Sequence, residues 1–164
     1  MPPRDWQNAG LDGCPSIPTQ KMFHRVLCAD PAVVRQTLMD IRDRFRDDVS
    51  LDTLGRLELV LAEVMNNITE HAGVLHLRDP GHPKPSIHLS IVRHPAGLAC
   101  GITDDGPLLP AECLQPRNLP GGTYPDLEEG GFGWFLIQDL TQSLCYYREG
   151  GRNFLDFSVP FAAS

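Results

Sequence analysis

Three short groups of residues carry most of the chemistry this chain offers. Glu63, Asn67 and His71 recur at steps of four. Asp104-Asp105-Gly106 closes an alternating apolar run, and Gly130-Gly131-Phe132-Gly133 opens onto Trp134-Phe135-Leu136-Ile137. A carboxylate at a strand end, such as Asp104, can accept a hydrogen bond from an exocyclic amine like that of adenine. Asp-Gly-Pro is equally strong turn chemistry. Gly131 and Gly133 would let backbone approach a ligand closely, and the free N–H groups of a helix start favour phosphate; a flexible hinge is the plainer reading. No Gly-Lys-Ser/Thr follows, so this is not a Walker loop, and a dinucleotide fingerprint would need a preceding strand and an acidic partner. In this order, with an irregular stretch between the second and third groups, they suggest a nucleotide pocket.

The first group needs a helix to align it. Ser50 or Asp52 is a suitable cap, and the periodicity predicts a helix to about Ala72, with Gly73 as the stop. With Leu57 at zero and 100° per residue, Leu57, Leu61, Val64 and Ile68 gather within about 40° of zero as the core face. Glu63, Asn67 and His71 then fall near about 240°, 280° and 320°, one polar row at the margin of the buried surface. Such a row is either an ordinary boundary of solvated residues or one wall of a site.

The other elements follow from the same patterning. Met22 to Ala29 is β-compatible. Asp30-Pro31 caps and opens a helix whose apolar stripe is Val34, Leu38, Ile41 and Phe45. Ile87, Leu89 and Ile91, then Leu98, Cys100 and Ile102, alternate around Pro95-Ala96-Gly97 as a hairpin ending at Asp104. A helix is expected from near Gly133 to about Leu144. Residues 144–148 and 152–159 make a last hairpin around Gly150-Gly151. Residues 106–131 hold five prolines and five glycines, and long irregular segments of this kind are often lids or binding loops. The order predicts an α+β two-layer sandwich, a mostly antiparallel or mixed sheet with helices on one face.

Composition narrows the function classes. A chain of 164 residues suits one domain, with 1–20 as a loosely ordered arm and 21–160 as the folded unit. The net charge of -7 gives no electrostatic reason to bind nucleic acid. The five cysteines are scattered without a C-x-x-C pair, which favours a reducing compartment. Cys28, Cys100 and Cys145 lie in apolar surroundings and are expected to be buried thiols. No secretory leader or membrane-length apolar run is seen, so a cytoplasmic location is expected.

Together the three groups resemble the GHKL ATPase superfamily, which includes histidine kinases, gyrase B and MutL. Its N box is similar to Glu63-Val-Met-Asn-Asn67-Ile-Thr-Glu-His71, its G1 box to Asp104-Asp-Gly106 and its G2 box to Gly131-Phe-Gly133-Trp-Phe-Leu-Ile. Within it, residues 21–160 look most like the anti-sigma-factor serine/threonine kinases of bacterial partner-switching systems. The resemblance implies a Bergerat-type ATP-binding fold, with ATP and Mg²⁺ as cofactors. Asn67 would ligate Mg²⁺, Asp104 would bind the adenine amino group, and Gly106 would let backbone pass close to the base. Gly131 and Gly133 would present N–H groups to the phosphates, with His71 approaching them too. Glu63 would be the catalytic general base, and Asn153 matches a position near adenine where the family often has Thr. The implied partner is an anti-anti-sigma factor of the STAS type, a sigma factor, or both; a homodimer is also implied.

The chain departs from that pattern in places. Leu108 stands where the family usually has Gly, residues 73–86 are longer than the usual connection, and the lid near 107–130 is rich in proline, with Arg117 a possible phosphate contact. These differences keep a second reading in play, a non-catalytic nucleotide-sensing module that sequesters a protein partner. A catalytic fragment of a histidine kinase would need a dimerising helical hairpin, for which the N-terminal arm is too short and lacks heptads.

Overall fold

The computed structural model describes residues 21–107 and 131–161. The expected arm at 1–20, most of the lid and Arg117 lie outside the described residues. Eight elements follow in the expected order. Strand β1 (Met22–Cys28) leads into helices α1 (Pro31–Phe45) and α2 (Leu51–Arg78). Strands β2 (Ser86–His94) and β3 (Gly97–Asp104) form a hairpin, and α3 (Gly131–Leu140) precedes β4 (Gln142–Glu149) and β5 (Arg152–Pro160).

The caps act as the sequence predicts. Asp30 accepts hydrogen bonds from the backbone N–H of Ala32 at 3.0 Å and Val33 at 3.4 Å, with Pro31 in the first turn. Ser50, rather than Asp52, caps α2 by accepting from Thr53 N–H at 3.2 Å. Two helix ends differ from expectation. Helix α2 runs through Gly73 to Arg78, because one glycine costs only about 1 kcal/mol in a helix interior. It stops at Asp79, which precedes Pro80 and with φ of -138° and ψ of 88° lies outside the helical region that a following proline disfavours. Helix α3 ends at Leu140 rather than near Leu144, and residues from Gln142 onward pair with β5 instead, through a bulge at which Ser143 has φ +56°.

The sheet order is β1-β2-β3-β5-β4, and every pairing is antiparallel rather than mixed. Gly150 and Gly151, at φ +60° and +75°, make the two-residue turn of the last hairpin. Both conformations are left-handed, as a tight hairpin turn with the right twist requires. One face of the sheet is covered: Leu27, Ile87, Leu89, Ile91, Ile102, Leu155 and Phe157 bury against Ile41, Phe45, Leu57, Leu61, Met65 and Ile68 of the helices. Helix α2 packs against α1 on one side and α3 on the other. It therefore lies between the other two helices over the sheet.

The thiol expectation holds for one of three cysteines. Cys100 points into the core, where burial pushes its thiol well up from the usual range. Cys28 and Cys145 are exposed. Strand alternation, not the apolar character of the neighbours, decides the side: Phe23 and Leu27 take the inward positions of β1, so Cys28 faces out.

Candidate functional site

The site begins where the inward-facing apolar rows of the sheet give way to polar residues. Register sets Asp104 at the end of β3 opposite Asn153 of β5, and Asn153 opposite Arg148 of β4. Asp104 is 6% exposed and Asn153 2%. Burial at this level requires hydrogen-bond partners, and each supplies the other's. Asn153 Nδ2 donates to Asp104 Oδ1 at 3.0 Å, to the Pro107 carbonyl at 3.0 Å and to the Gly106 carbonyl at 3.3 Å. Arg148 Nη1 donates to Asn153 Oδ1 at 2.8 Å and to the Gly106 carbonyl at 3.0 Å.

Asp104 is also a turn residue. Its Oδ1 accepts from the Gly106 backbone N–H at 2.9 Å, while Asp105 Oδ1 accepts from Ser86 N–H at 2.8 Å and ties the turn to β2. The turn reading and the binding reading of Asp-Asp-Gly are thus compatible: one oxygen serves the turn. Among the described residues Oδ2 receives no hydrogen bond and remains an acceptor for an incoming N–H. Burial raises the Asp104 carboxyl above its ordinary value; the hydrogen bonds from Asn153 and Gly106 and the nearby Arg148 charge oppose that rise.

Gly106 is required by space. A Cβ there would sit 2.9 Å from Asp104 Oδ1 and 3.6 Å from Pro85 Cγ. Beside it opens a cavity of about 290 Å³, bounded by Ala72 and Leu75 of α2, the 82–85 segment, Asp105 to Pro107, and Arg148. The extra helical turns beyond Gly73 thus form one wall of this cavity, through Leu75.

The α2 row lies along the margin of the core, as the wheel predicts. Glu63 and Asn67 are half-buried, and His71, next to the cavity-lining Ala72, is exposed. Gly131 and Gly133 both fall in the first turn of α3, two residues earlier than expected for the first of them, and α3 packs on α2. The first-turn N–H groups of a helix have no intrahelical acceptor, so these glycines carry backbone donors that need a partner from outside α3, on an element that packs against α2. Asp104, Gly106 and Asn153 are in direct contact with each other. Arg148 was not singled out by sequence, and Asp105 only as a member of the Asp104-Asp105-Gly106 group, without a role of its own. A signal for Arg148 was present, since a two-residue turn at Gly150-Gly151 fixes Arg148 opposite Asn153.

Among the described residues no group of three or more His, Cys, Asp or Glu side chains could hold a metal ion unaided. A magnesium ion near Asn67 would therefore draw most of its oxygen ligands from phosphates and water, which is the usual manner of Mg²⁺ in phosphoryl-transfer sites. Among the described residues, too, no helix is long and apolar enough to cross a membrane.

No curated protein matches the chain. A family model does: the histidine kinase-like ATPase domain matches residues 27–159, from the end of β1 nearly to the end of β5, and takes in all three groups of site residues. With a polar network at the end of β3, a marginal row on α2 and a glycine-rich start to α3 all inside that span, the chain belongs to the histidine kinase-like ATPase family.

Proposed function

We propose that this protein is an ATP-dependent serine/threonine kinase that acts as an anti-sigma factor and phosphorylates a small anti-anti-sigma partner of the STAS type. Family membership supports ATP binding. The observation that carries the reading further is the buried Asp104, fixed through one oxygen by Asn153 and Gly106 and, among the described residues, without a hydrogen bond at the other, next to the Asp105–Pro107 segment that lines a cavity. That arrangement selects a base with an exocyclic amine. Gly106 keeps the backbone close to the base, and Asn153 holds Asp104 in place. The N–H groups at Gly131 and Gly133 would receive phosphate oxygens, with His71 near them.

Glu63 lies one helical turn before Asn67. In the proposed reaction it takes the proton of the partner's serine or threonine hydroxyl as that oxygen bonds to the γ-phosphorus and the bond to the ADP oxygen breaks. Asn67 would hold Mg²⁺ through its amide oxygen. The metal supplies neutralisation of phosphate charge. Binding of a sigma factor and a homodimer belong to the same proposal.

The test is transfer from γ-labelled ATP to a candidate STAS partner in the presence of Mg²⁺. Transfer is expected with the wild type and lost in Glu63→Gln, which should still bind ATP. Normal transfer by Glu63→Gln would remove Glu63 from the mechanism. Leu108 and the proline-rich 107–130 segment favour the other reading, a nucleotide-sensing module that sequesters its partner without chemistry. Mg²⁺-dependent ATP binding that alters partner affinity with no transfer would establish that reading instead.

A further inference from the structure

We propose that the face of the sheet turned away from the helices carries a docking notch for an arginine side chain of a protein partner, in which the Asp156 carboxylate and the free ring face of Phe154 meet above Gly101 and Thr103. The notch needs no nucleotide and goes beyond the ATP reading of the opposite face.

Strand alternation makes this surface. In β5 Asn153, Leu155 and Phe157 turn inward, so Phe154 and Asp156 turn outward. Register sets Phe154 between Tyr147 of β4 and Thr103 of β3, and Asp156 between Cys145 and Gly101. Tyr147 stacks on Phe154, with ring centroids 4.8 Å apart and planes 6° from parallel. The stack occupies the Phe154 ring face on the β4 side and leaves the other face turned toward β3. Asp156 leans the same way, since its Oδ1 lies 3.1 Å from where a Cβ of Gly101 would stand. Glycine weakens a strand interior and marks a place of close approach; here it leaves room for the carboxylate over β3. Phe154 and Asp156 are two residues apart on one strand face, about 7 Å, so one side chain from a partner can touch both.

Charge decides the occupant. Asp156 is exposed, and among the described residues its side chain has no hydrogen bond and no ion pair. Glu149 and Arg152, at the turn end of the same hairpin, stand opposite each other in the register and offset one another. The chain as a whole carries a net charge of -7. A cationic segment therefore gains from this surface and an acidic one does not. The π face of an aromatic ring attracts a cation as well. A planar guanidinium can lie against the ring while two of its N–H groups reach the carboxylate, a combination that the compact lysine ammonium lacks.

The experiment follows the ¹H–¹⁵N NMR spectrum of the full chain, without nucleotide, as the capped peptides Ac-Ala-Arg-Ala-NH₂, Ac-Ala-Lys-Ala-NH₂ and Ac-Ala-Glu-Ala-NH₂ are added. The arginine peptide should move the amides of Gly101, Thr103 and Phe154 saturably, with a Kd on the order of 10 mM. The lysine peptide should bind at least about threefold more weakly, and the glutamate peptide should leave these amides in place. Asp156→Asn should weaken the arginine peptide by about fivefold or more, and Phe154→Leu should erase the preference for arginine over lysine. The proposal is overturned if no saturable shift occurs, if lysine binds as well as arginine, if Asp156→Asn keeps the wild-type affinity, or if Phe154→Leu keeps the arginine preference. It is overturned too if the same amides move with protein concentration in the absence of peptide, because the face then belongs to a second copy of the chain. Should Phe154→Leu not fold, the exposed Asp156→Asn change and the comparison of peptides decide the matter alone.

Discussion

Replacing Asp104 by asparagine should make the protein more stable and a poorer ATP binder, and the structure explains why both follow from one change. Two N–H donors, from Gly106 at 2.9 Å and Asn153 at 3.0 Å, converge on Asp104 Oδ1. In Asp104→Asn the amide oxygen must take that place, because an amide nitrogen would set donors against donors. The new NH₂ group then stands where Oδ2 stood and faces the base amine with another donor. The lost charged hydrogen bond is worth about 1.5–3 kcal/mol, or roughly a 10- to 150-fold weaker ATP affinity. Inosine triphosphate, with a carbonyl at that edge, should bind the variant better than ATP does. Stability moves the other way. Burial raises the Asp104 carboxyl above its ordinary value of 3.8. A carboxyl whose folded-state value is raised stabilises the fold most when protonated, below its unfolded value, and that contribution is lost as pH rises through the folded-state value. An amide has no charge to desolvate, so the variant's advantage in Tm should be present at pH 7.5 and shrink toward pH 4. Calorimetry at the two pH values and titration with both nucleotides measure the two halves. A variant that melts lower than wild type at pH 7.5, or that keeps wild-type ATP affinity, would refute the assignment of the two oxygens.

Asn153→Ala leaves Asp104 Oδ1 with one donor and removes the Asn153 donor from the Pro107 carbonyl, while the Gly106 carbonyl keeps Arg148; a loss of about 1–3 kcal/mol, a Tm lower by roughly 2–4 °C for each kcal/mol, is expected in a thermal scan. Gly106→Ala pushes a methyl group to within 2.9 Å of Asp104 Oδ1, so it should weaken ATP binding in a titration while the chain stays folded, because the atom it meets is a side chain that can turn. Gly97→Ala is the contrasting case: its Cβ would lie 2.3 Å from the Val159 carbonyl oxygen and 2.9 Å from Pro160 Cα. Backbone must part there, and denaturant unfolding should show a loss of about 3 kcal/mol although the residue is far along β3 from Asp104.

The parts of this fold that were legible in the sequence are those that short-range chemistry decides. Asp30-Pro31 and Ser50 declare helix starts because a side-chain oxygen three residues from an N–H is a local matter. Period-two alternation declares β2 and β3, and Gly150-Gly151 declares the last turn. What stayed hidden depends on partners far along the chain. Gly73 offers a stop, but Leu75 continues the buried side of α2 into the cavity wall and the helix goes on to meet Pro80. The chain leaves the helix after Leu140 because β5 offers pairing to Gln142 and, past a bulge, to the residues from Cys145 onward. Asp104 and Asn153 could each be singled out, yet only the β3–β5 register shows that one holds the other. The cysteines were misjudged where apolar neighbours were taken for burial and the alternation of β1 and β4 decided otherwise.

That register also bears on why these polar residues are there at all. Along the covered face of the sheet the cross-strand rows are apolar: Leu89, Ile102 and Leu155 form one, and Ile91, Cys100 and Phe157 the next. The final row starts with Ile87 in the same fashion and then changes to Asp104, Asn153 and Arg148. Folding alone gives no reason for the change. A buried polar cluster with its hydrogen bonds satisfied does about as well as apolar residues of similar shape, and often worse. Continuing the row with leucine or valine would have extended the core to the sheet's end. Instead the chain keeps a buried carboxylate whose burial opposes its charge, with donors that, among the described residues, hold one oxygen and leave the other without a hydrogen bond. Stability does not ask for that second oxygen; the proposed nucleotide, with an N–H to offer, would. This asymmetry within one carboxylate connects the fold to its proposed nucleotide chemistry more closely than any of the three motifs alone.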